Sequence, residues 1–254
     1  MEFYKKTNAK FFILHCYKDE LLKRDKKQEK SESEIGLQRI MQGISFRKEN
    51  LAHQFETISS KKKIQDAVRD ISDSFKIDII ILGSPGDSAG INYAYHNRVS
   101  EILESLDSFP IFVIPESSMF DEKEFTEIVF PTPFNNSYKS QELKTIIHVA
   151  KLTNASIRVL EIQESNGNLN KKQLDNKENL NDLLQGVKFT FHKLTDTTIS
   201  TGIRIFIQSR SSNMLTLYRR KQGFFTRLFK QSMEKDIDFD PSVPVLLLPE
   251  LNKE

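Results

Sequence analysis

The chain has 254 residues, 38% of them hydrophobic, and its 37 basic and 35 acidic side chains leave a formal net charge of +2. That length suits two domains of ordinary size, the balanced charge offers no broad basic surface for nucleic acid, and no apolar run approaches the roughly 20 residues that span a bilayer. The single cysteine, Cys16, excludes an internal disulfide. The first apolar run is too short for a leader peptide and follows Lys5, Lys6 and Lys10, so the chain reads as soluble and cytoplasmic.

Residues 9–17 read as a strand in which Cys16 is a core thiol rather than a nucleophile. Residues 18–34, almost wholly polar or charged, read as a solvated stretch before a helix near 35–50 marked by Ile35, Ile40, Met41 and Ile44. A short strand follows at 54–58, and Ser60 reads as the N-cap of a helix carrying Ile64, Ala67, Val68 and Ile71 on one face. Residues 77–82 form the strongest strand, apolar on both faces, and run into Gly83-Ser84-Pro85-Gly86. Val99, Ile102, Leu103 and Leu106 mark a helix before the strand 110–115, and residues 116–126 read as a linker.

The second half opens with the strand 127–131 and a helix carrying Leu143, Ile146, Ile147 and Ala150. Then come a strand at 156–162, a loop running into a helix at 164–179, and a strand at 187–192. A helix with Ile199, Ile203, Phe206 and Ile207 follows, then the strand 214–218, a helix around 224–236 and the strand 243–248. Strands alternating with helices predict right-handed crossovers and parallel sheets.

Two segments repeat. Pro110-Ile111-Phe112-Val113-Ile114-Pro115-Glu116 returns as Pro244-Val245-Leu246-Leu247-Leu248-Pro249-Glu250. Each is a short strand bounded by residues that cannot continue a ladder. Lys6-Thr7-Asn8-Ala9 matches Leu152-Thr153-Asn154-Ala155 and sets the register between the halves. The halves therefore predict two tandem Rossmann-like units, 1–118 and 124–254, of which the first lacks its opening strand. The expectation is a chain that starts late. A genuine loss would leave unpaired backbone, and predicts either a partner strand from another chain or low stability.

The chain resembles the universal stress protein family in its tandem bacterial form. In the first half the resemblance rests on residues 77–86 followed by 110–115; in the second it rests on 128–134, on 224–232 and on 244–249. It implies five parallel strands per unit in the order 3-2-1-4-5, and pairing of units through their last strands, within the chain as a pseudo-dimer or between chains as a homodimer. Many members bind ATP through G-x2-G-x9-G-[ST] and an acidic residue after the first strand. Gly83 and Gly86 match the first two glycines, but His96 and Asn97 stand at the third glycine and the hydroxyl position. In the second half the acidic position is Pro133, and Tyr218-Arg219-Arg220-Lys221-Gln222-Gly223 replaces the glycine loop. A side chain at these places obstructs the backbone approach to phosphate that glycine permits.

The candidate cofactor site is thus a degenerate ATP loop of Gly83, Ser84, Gly86, His96 and Asn97, with the simpler reading of a tight turn after a buried strand. Arg219, Arg220, Lys221, Arg227 and Lys230 form a basic cluster that reads as a solvated face, with Phe224, Phe225, Leu228 and Phe229 turned inward. His15, His148 and His192 read as core or boundary residues, and Ser209, Ser211 and Ser212 beside Arg210 and Asn213 as a polar loop. No metal spacing, nucleophile elbow or P-loop lysine occurs, so no catalytic residue or metal site is expected. The expected function is a non-catalytic stress-response protein acting through protein contacts, without nucleic acid, membrane or cofactor. The alternative is an ATP-binding sensor, or weak ATPase, using Gly83 and Gly86.

Overall fold

The computed structural model describes residues 7–17, 26–47, 52–84, 103, 105–106, 108–115, 118, 124–165, 167–219 and 243–251. The chain divides into two compact units, Met1–Ile77 and Asp78–Glu254.

The first unit holds β1 (Lys10–Cys16), α1 (Lys26–Arg47), β2 (Gln54–Ser60) and α2 (Ile64–Ser74). β1 and β2 pair in parallel from Lys10↔Gln54 to Cys16↔Ser60, with α1 as the crossover a parallel pair requires. Phe11 stacks on Phe55 at 5.0 Å between ring centroids. α1 begins at Lys26, within the stretch expected to be solvated coil. Its opening Lys, Gln and Glu residues are good helix formers that hydrophobic periodicity cannot reveal. Lys30 and Glu34 lie 3.6 Å apart one turn on. Ser33 and Leu37 turn inward, which leaves Ile35 and Ile40 exposed. Ser60 is not a helix cap: it ends β2, its hydroxyl accepts from the Lys62 amide at 3.1 Å, and the N-cap is Lys63 without a side-chain bond.

The second unit holds β3 (Ile80–Ser84), β4 (Ile111–Pro115), β5 (Glu127–Pro131), α3 (Ser140–Thr153), β6 (Ser156–Ile162), α4 (Lys171–Leu183), β7 (Phe189–Leu194), α5 (Ile199–Arg210), β8 (Met214–Tyr218) and β9 (Val245–Leu248). One seven-stranded sheet runs β3-β4-β9-β8-β5-β6-β7. The order β7-β6-β5-β8-β9 is the expected 3-2-1-4-5 of the second half. α4 starts where Asn170 and Gln173 form a reciprocal capping box, which ends the loop expected through 164–179. β7 starts at Phe189, opposite Ile157 of β6, rather than at 187.

Among the described residues every ladder of this sheet is parallel except β4–β9. These are the two strands with the repeated motif, and they pair as Ile111↔Leu247, Phe112↔Leu246 and Val113↔Val245. Ile111 matches Val245 in the repeat and Val113 matches Leu247, so the ladder is self-complementary, as a two-fold junction of like strands must be. β3 and β4 thus belong to the same sheet as the later half's strands, within the compact unit Asp78–Glu254.

Leu103 is helical, and Leu103 and Leu106 are both buried, as expected for the helix before β4; Val99 and Ile102 lie outside the described residues, as does the helix expected at 224–236. Among the described residues no helix is long and apolar enough to cross a membrane.

Candidate functional site at the carboxyl ends of β5 and β8

In an open α/β sheet, ligands enter where successive connections leave in opposite directions, beyond the carboxyl ends of the strands. In the second unit that crevice lies between β5, which continues to β6 on one side, and β8 on the other. It is filled by the chain's own side chains. Tyr218, the last residue of β8, packs edge-on against Tyr138 at 5.4 Å, and Tyr138 packs on Phe130 at 5.7 Å. Tyr138 shares a hydrogen bond with the hydroxyl of Thr132, which also accepts from the Phe134 amide at 3.1 Å. Thr132, Phe134, Tyr138 and Tyr218 are all buried.

The loop after β5 is held shut from α4. Phe134 has φ 53°, a left-handed conformation unusual for a bulky residue. Asn176 donates to its carbonyl at 2.7 Å, Gln173 donates to the Pro133 carbonyl at 3.0 Å, and the Tyr138 amide donates to Asn179 at 3.0 Å. Lys177 lies 4.9 Å from the Phe191 ring centre and 5.5 Å from that of Phe134. Polar groups that could have met a ligand are spent on this closure.

Arg219 follows β8 directly and is buried. Its guanidinium donates to the carbonyls of Leu103 at 2.7 Å, Leu106 at 3.1 Å and Phe109. These carbonyls close the helix before β4, an end that favours a cation. Arg219 is therefore not part of a solvated basic face. Arg220, Lys221, Arg227 and Lys230 lie outside the described residues.

A second charged cluster sits at the amino ends of the strands. Arg158 donates to Glu127 through Nε at 2.9 Å and Nη2 at 2.6 Å. Arg210 does the same through Nε at 2.9 Å and Nη2 at 2.6 Å. Burial pushes the Glu127 carboxyl up, but the hydrogen bonds and charges of Arg210 and Arg158 together outweigh it and hold it below the usual carboxylate range. Thr190 accepts from Arg158 at 2.9 Å and lies 2.8 Å from His192 Nε2. Burial, then the Arg210 and Arg158 charges, lower the His192 pKa. Asn213 accepts from the amides of Thr126 at 2.8 Å and Glu127 at 3.1 Å. The segment around 209–213 is thus an anchor for α5, not a free polar loop. With both its oxygens bonded by arginines, Glu127 is placed to hold structure rather than to move protons. Charged residues inside the apolar strands at 127 and 158 were the sequence signal for it.

In the first unit His15 Nδ1 lies 2.8 Å from Ser33 Oγ, which lies 2.7 Å from Ser59 Oγ. Ser33 is buried, and this relay ties α1 to both strands. It resembles a nucleophile–base pair in distance alone. His15 and His148 are exposed, so neither is a core residue, while His192 is half-buried as expected. Burial raises the Cys16 pKa, which disfavours a reactive thiolate. No group of residues that could hold a metal occurs among the described residues. A shallow hollow of about 290 Å³ lies between the end of α3 and the start of β7, at the opposite end of the sheet from the crevice.

No protein-family model and no curated protein matches the sequence. Solved structures do. A universal stress protein from Archaeoglobus fulgidus superimposes with TM-score 0.67 at 15% identity, covering 100% of this chain and 90% of its own. A protein assigned to the same family in Pseudomonas aeruginosa gives TM-score 0.61 at 13% identity, covering 97% of this chain and 84% of its own. The chain has the universal stress protein fold. The cytoplasmic domain of a prokaryotic cation chloride cotransporter is also similar, with TM-score 0.53 at 11% identity over 97% of this chain and 86% of that one.

Ile80 donates to Pro110 and Leu215 to Pro244, each at 3.0 Å, so β3 and β8 match residue by residue. Gly83 therefore corresponds to Tyr218, and Ser84 to Arg219. Gly83 is exposed, and a Cβ there would meet nothing within 4 Å. Ser84 ends β3 opposite Pro115. Gly86, His96 and Asn97 lie outside the described residues.

Proposed function

We propose that this chain belongs to the universal stress protein family as a duplicated unit with repeat boundaries at 1–118 and 124–254, and that it acts by protein contact rather than catalysis. One observation carries the reading: Tyr218 stands where a nucleotide-binding copy would present its first glycine to phosphate, Arg219 follows it, and both are packed into the protein. The antiparallel β4–β9 ladder supports an internal pseudo-dimer. Isothermal titration of the full chain with ATP and magnesium at millimolar nucleotide should give no binding heat. Saturable uptake in the micromolar range would overturn the reading.

The second reading is an adenine-nucleotide sensor in the first half, using Gly83, Ser84, Gly86, His96 and Asn97. It is favoured by Gly83, where a Cβ would meet no described residue within 4 Å. On that reading ATP uptake should disappear in Gly83→Val, and uptake unchanged by that substitution would reject it.

A further inference from the structure

β9 ends at Leu248, opposite Tyr218 of β8, and the Leu248 carbonyl accepts from the Arg219 amide at 2.9 Å. The chain then leaves the sheet through Pro249 and Glu250 and meets the start of α3 at Leu251. Both main-chain groups of Leu251 are held there. Its amide donates to Glu142 Oε1 at 3.3 Å, and its carbonyl accepts from Lys139 Nζ at 3.2 Å. Glu142 is 3% exposed, a depth at which a carboxylate needs partners for both oxygens. Oε2 accepts from the Lys139 amide at 2.8 Å and so closes the start of α3. Capping the helix therefore uses one oxygen, and the other serves Leu251.

The two anchors of this segment flank the crevice. Tyr218 lies beside Leu248 in the ladder, and Lys139 directly follows Tyr138, which packs on Tyr218. Residues 249–251 thus bridge the two places that bring the tyrosines together. The hold is local. Its two hydrogen bonds lie at the long end of the N–H···O range, Lys139 and Glu250 are exposed, and Leu251 is half-buried. All four residues of β9 next to it are buried. A segment held in this way opens at a lower free energy than the sheet it leaves.

We infer that residues 249–251 are a strap that opens while the sheet stays folded, and that in its closed state it steadies Tyr138 against Tyr218. Opening leaves α3 capped, because the bond from the Lys139 amide to Glu142 is not part of the strap. The strap goes beyond the protein-contact reading, and the two fail separately: ATP uptake would remove that reading and says nothing of how Leu251 opens.

The test is native-state amide hydrogen exchange on the full chain in low urea. The Leu251 amide should be protected, and its exchange should not respond to urea below the unfolding transition. The Leu215 amide, inside the sheet, should accelerate with urea as global unfolding does. Leu251→Pro removes the donor to Glu142 and leaves the helix cap in place. Lys139→Met removes the ammonium and keeps the main chain. In each variant the Tyr138 amide, which donates to Asn179, should exchange at least tenfold faster while Leu215 is unchanged. An unprotected Leu251 amide, urea dependence at Leu251 equal to that at Leu215, Tyr138 exchange unchanged in both variants, or loss of Leu215 protection in both would each overturn the inference.

Discussion

The carboxyl end of β8 is a closed junction, whereas the matched end of β3 carries Gly83, where a Cβ would meet no described residue within 4 Å. The ladders behind them are alike, down to the paired hydrogen bonds from Ile80 and Leu215. What differs is the residue at two positions. Tyr218 fills its crevice with a ring where β3 has Gly83, and Arg219 reaches the carbonyls of Leu103, Leu106 and Phe109. A shared backbone thus does not make a shared site. In the second half, groups that would have met a ligand became part of the packing.

The strongest way to break this comparison is to remove Arg219. Its guanidinium is buried and bonded to three backbone carbonyls, which would lose their partner together. Arg219→Ala should cost about 3 kcal/mol in urea unfolding, since a charged hydrogen bond contributes roughly 1.5–3 kcal/mol and such bonds do not simply add. Arg219→Lys should recover little, because an ammonium cannot fork to separated acceptors. A loss under about 0.5 kcal/mol would mean that the junction does not depend on this residue.

Nearly all of this architecture was legible in the sequence, and little of the site was. The motif at 110–116 and 244–250 announced both the repeat and the strands that join the halves. The strand order followed from it once the family resemblance was drawn. Arg219 was misjudged because its partners lie more than a hundred positions away and are backbone carbonyls, which carry no residue signature. The early start of α1 escaped for a related reason: Lys, Glu and Gln favour helix without leaving an apolar stripe. Ser33 went unnoticed because a serine in a charged run reads as surface, yet it sits between His15 and Ser59. The division at 77/78 depends on which strand closes which edge, a fact set by long-range pairing.

The amino ends of the strands sharpen the contrast through pH. The folded Glu127 carboxyl lies below its usual range, so as pH falls the unfolded chain takes up that proton first. Its stabilisation is complete above an unfolded value of about 4.3 and is lost as pH drops through the folded pKa. His192 is likewise lowered, so below about pH 6.5 the unfolded chain binds a proton that the folded chain resists. Stability should therefore fall in two steps on acidification. His192→Phe should remove the upper step, its ring already lying 5.1 Å from Phe206. Glu127→Gln should flatten the lower one and cost about 2 kcal/mol at pH 7, because two partly buried arginines lose their countercharge. A single acid transition untouched by either substitution would show that these groups are not coupled to folding.

The smallest effect concerns the position that separates the two strands most sharply. Thr216 is wholly buried and its hydroxyl has no hydrogen-bond partner among the described residues, while Ile81 at the matched position is apolar and exposed. Threonine suits the strand by its β-branch, but its buried oxygen has been taken from water without return. Thr216→Val keeps the branch and removes the oxygen, so it should raise stability by up to about 1 kcal/mol in the same urea experiment. Destabilisation by that amount would reveal a partner for the hydroxyl and show that β8 is not a purely packed strand. Stabilisation would mean that closing this edge with β5 carries a cost at one atom, which burial of the neighbouring apolar residues outweighs.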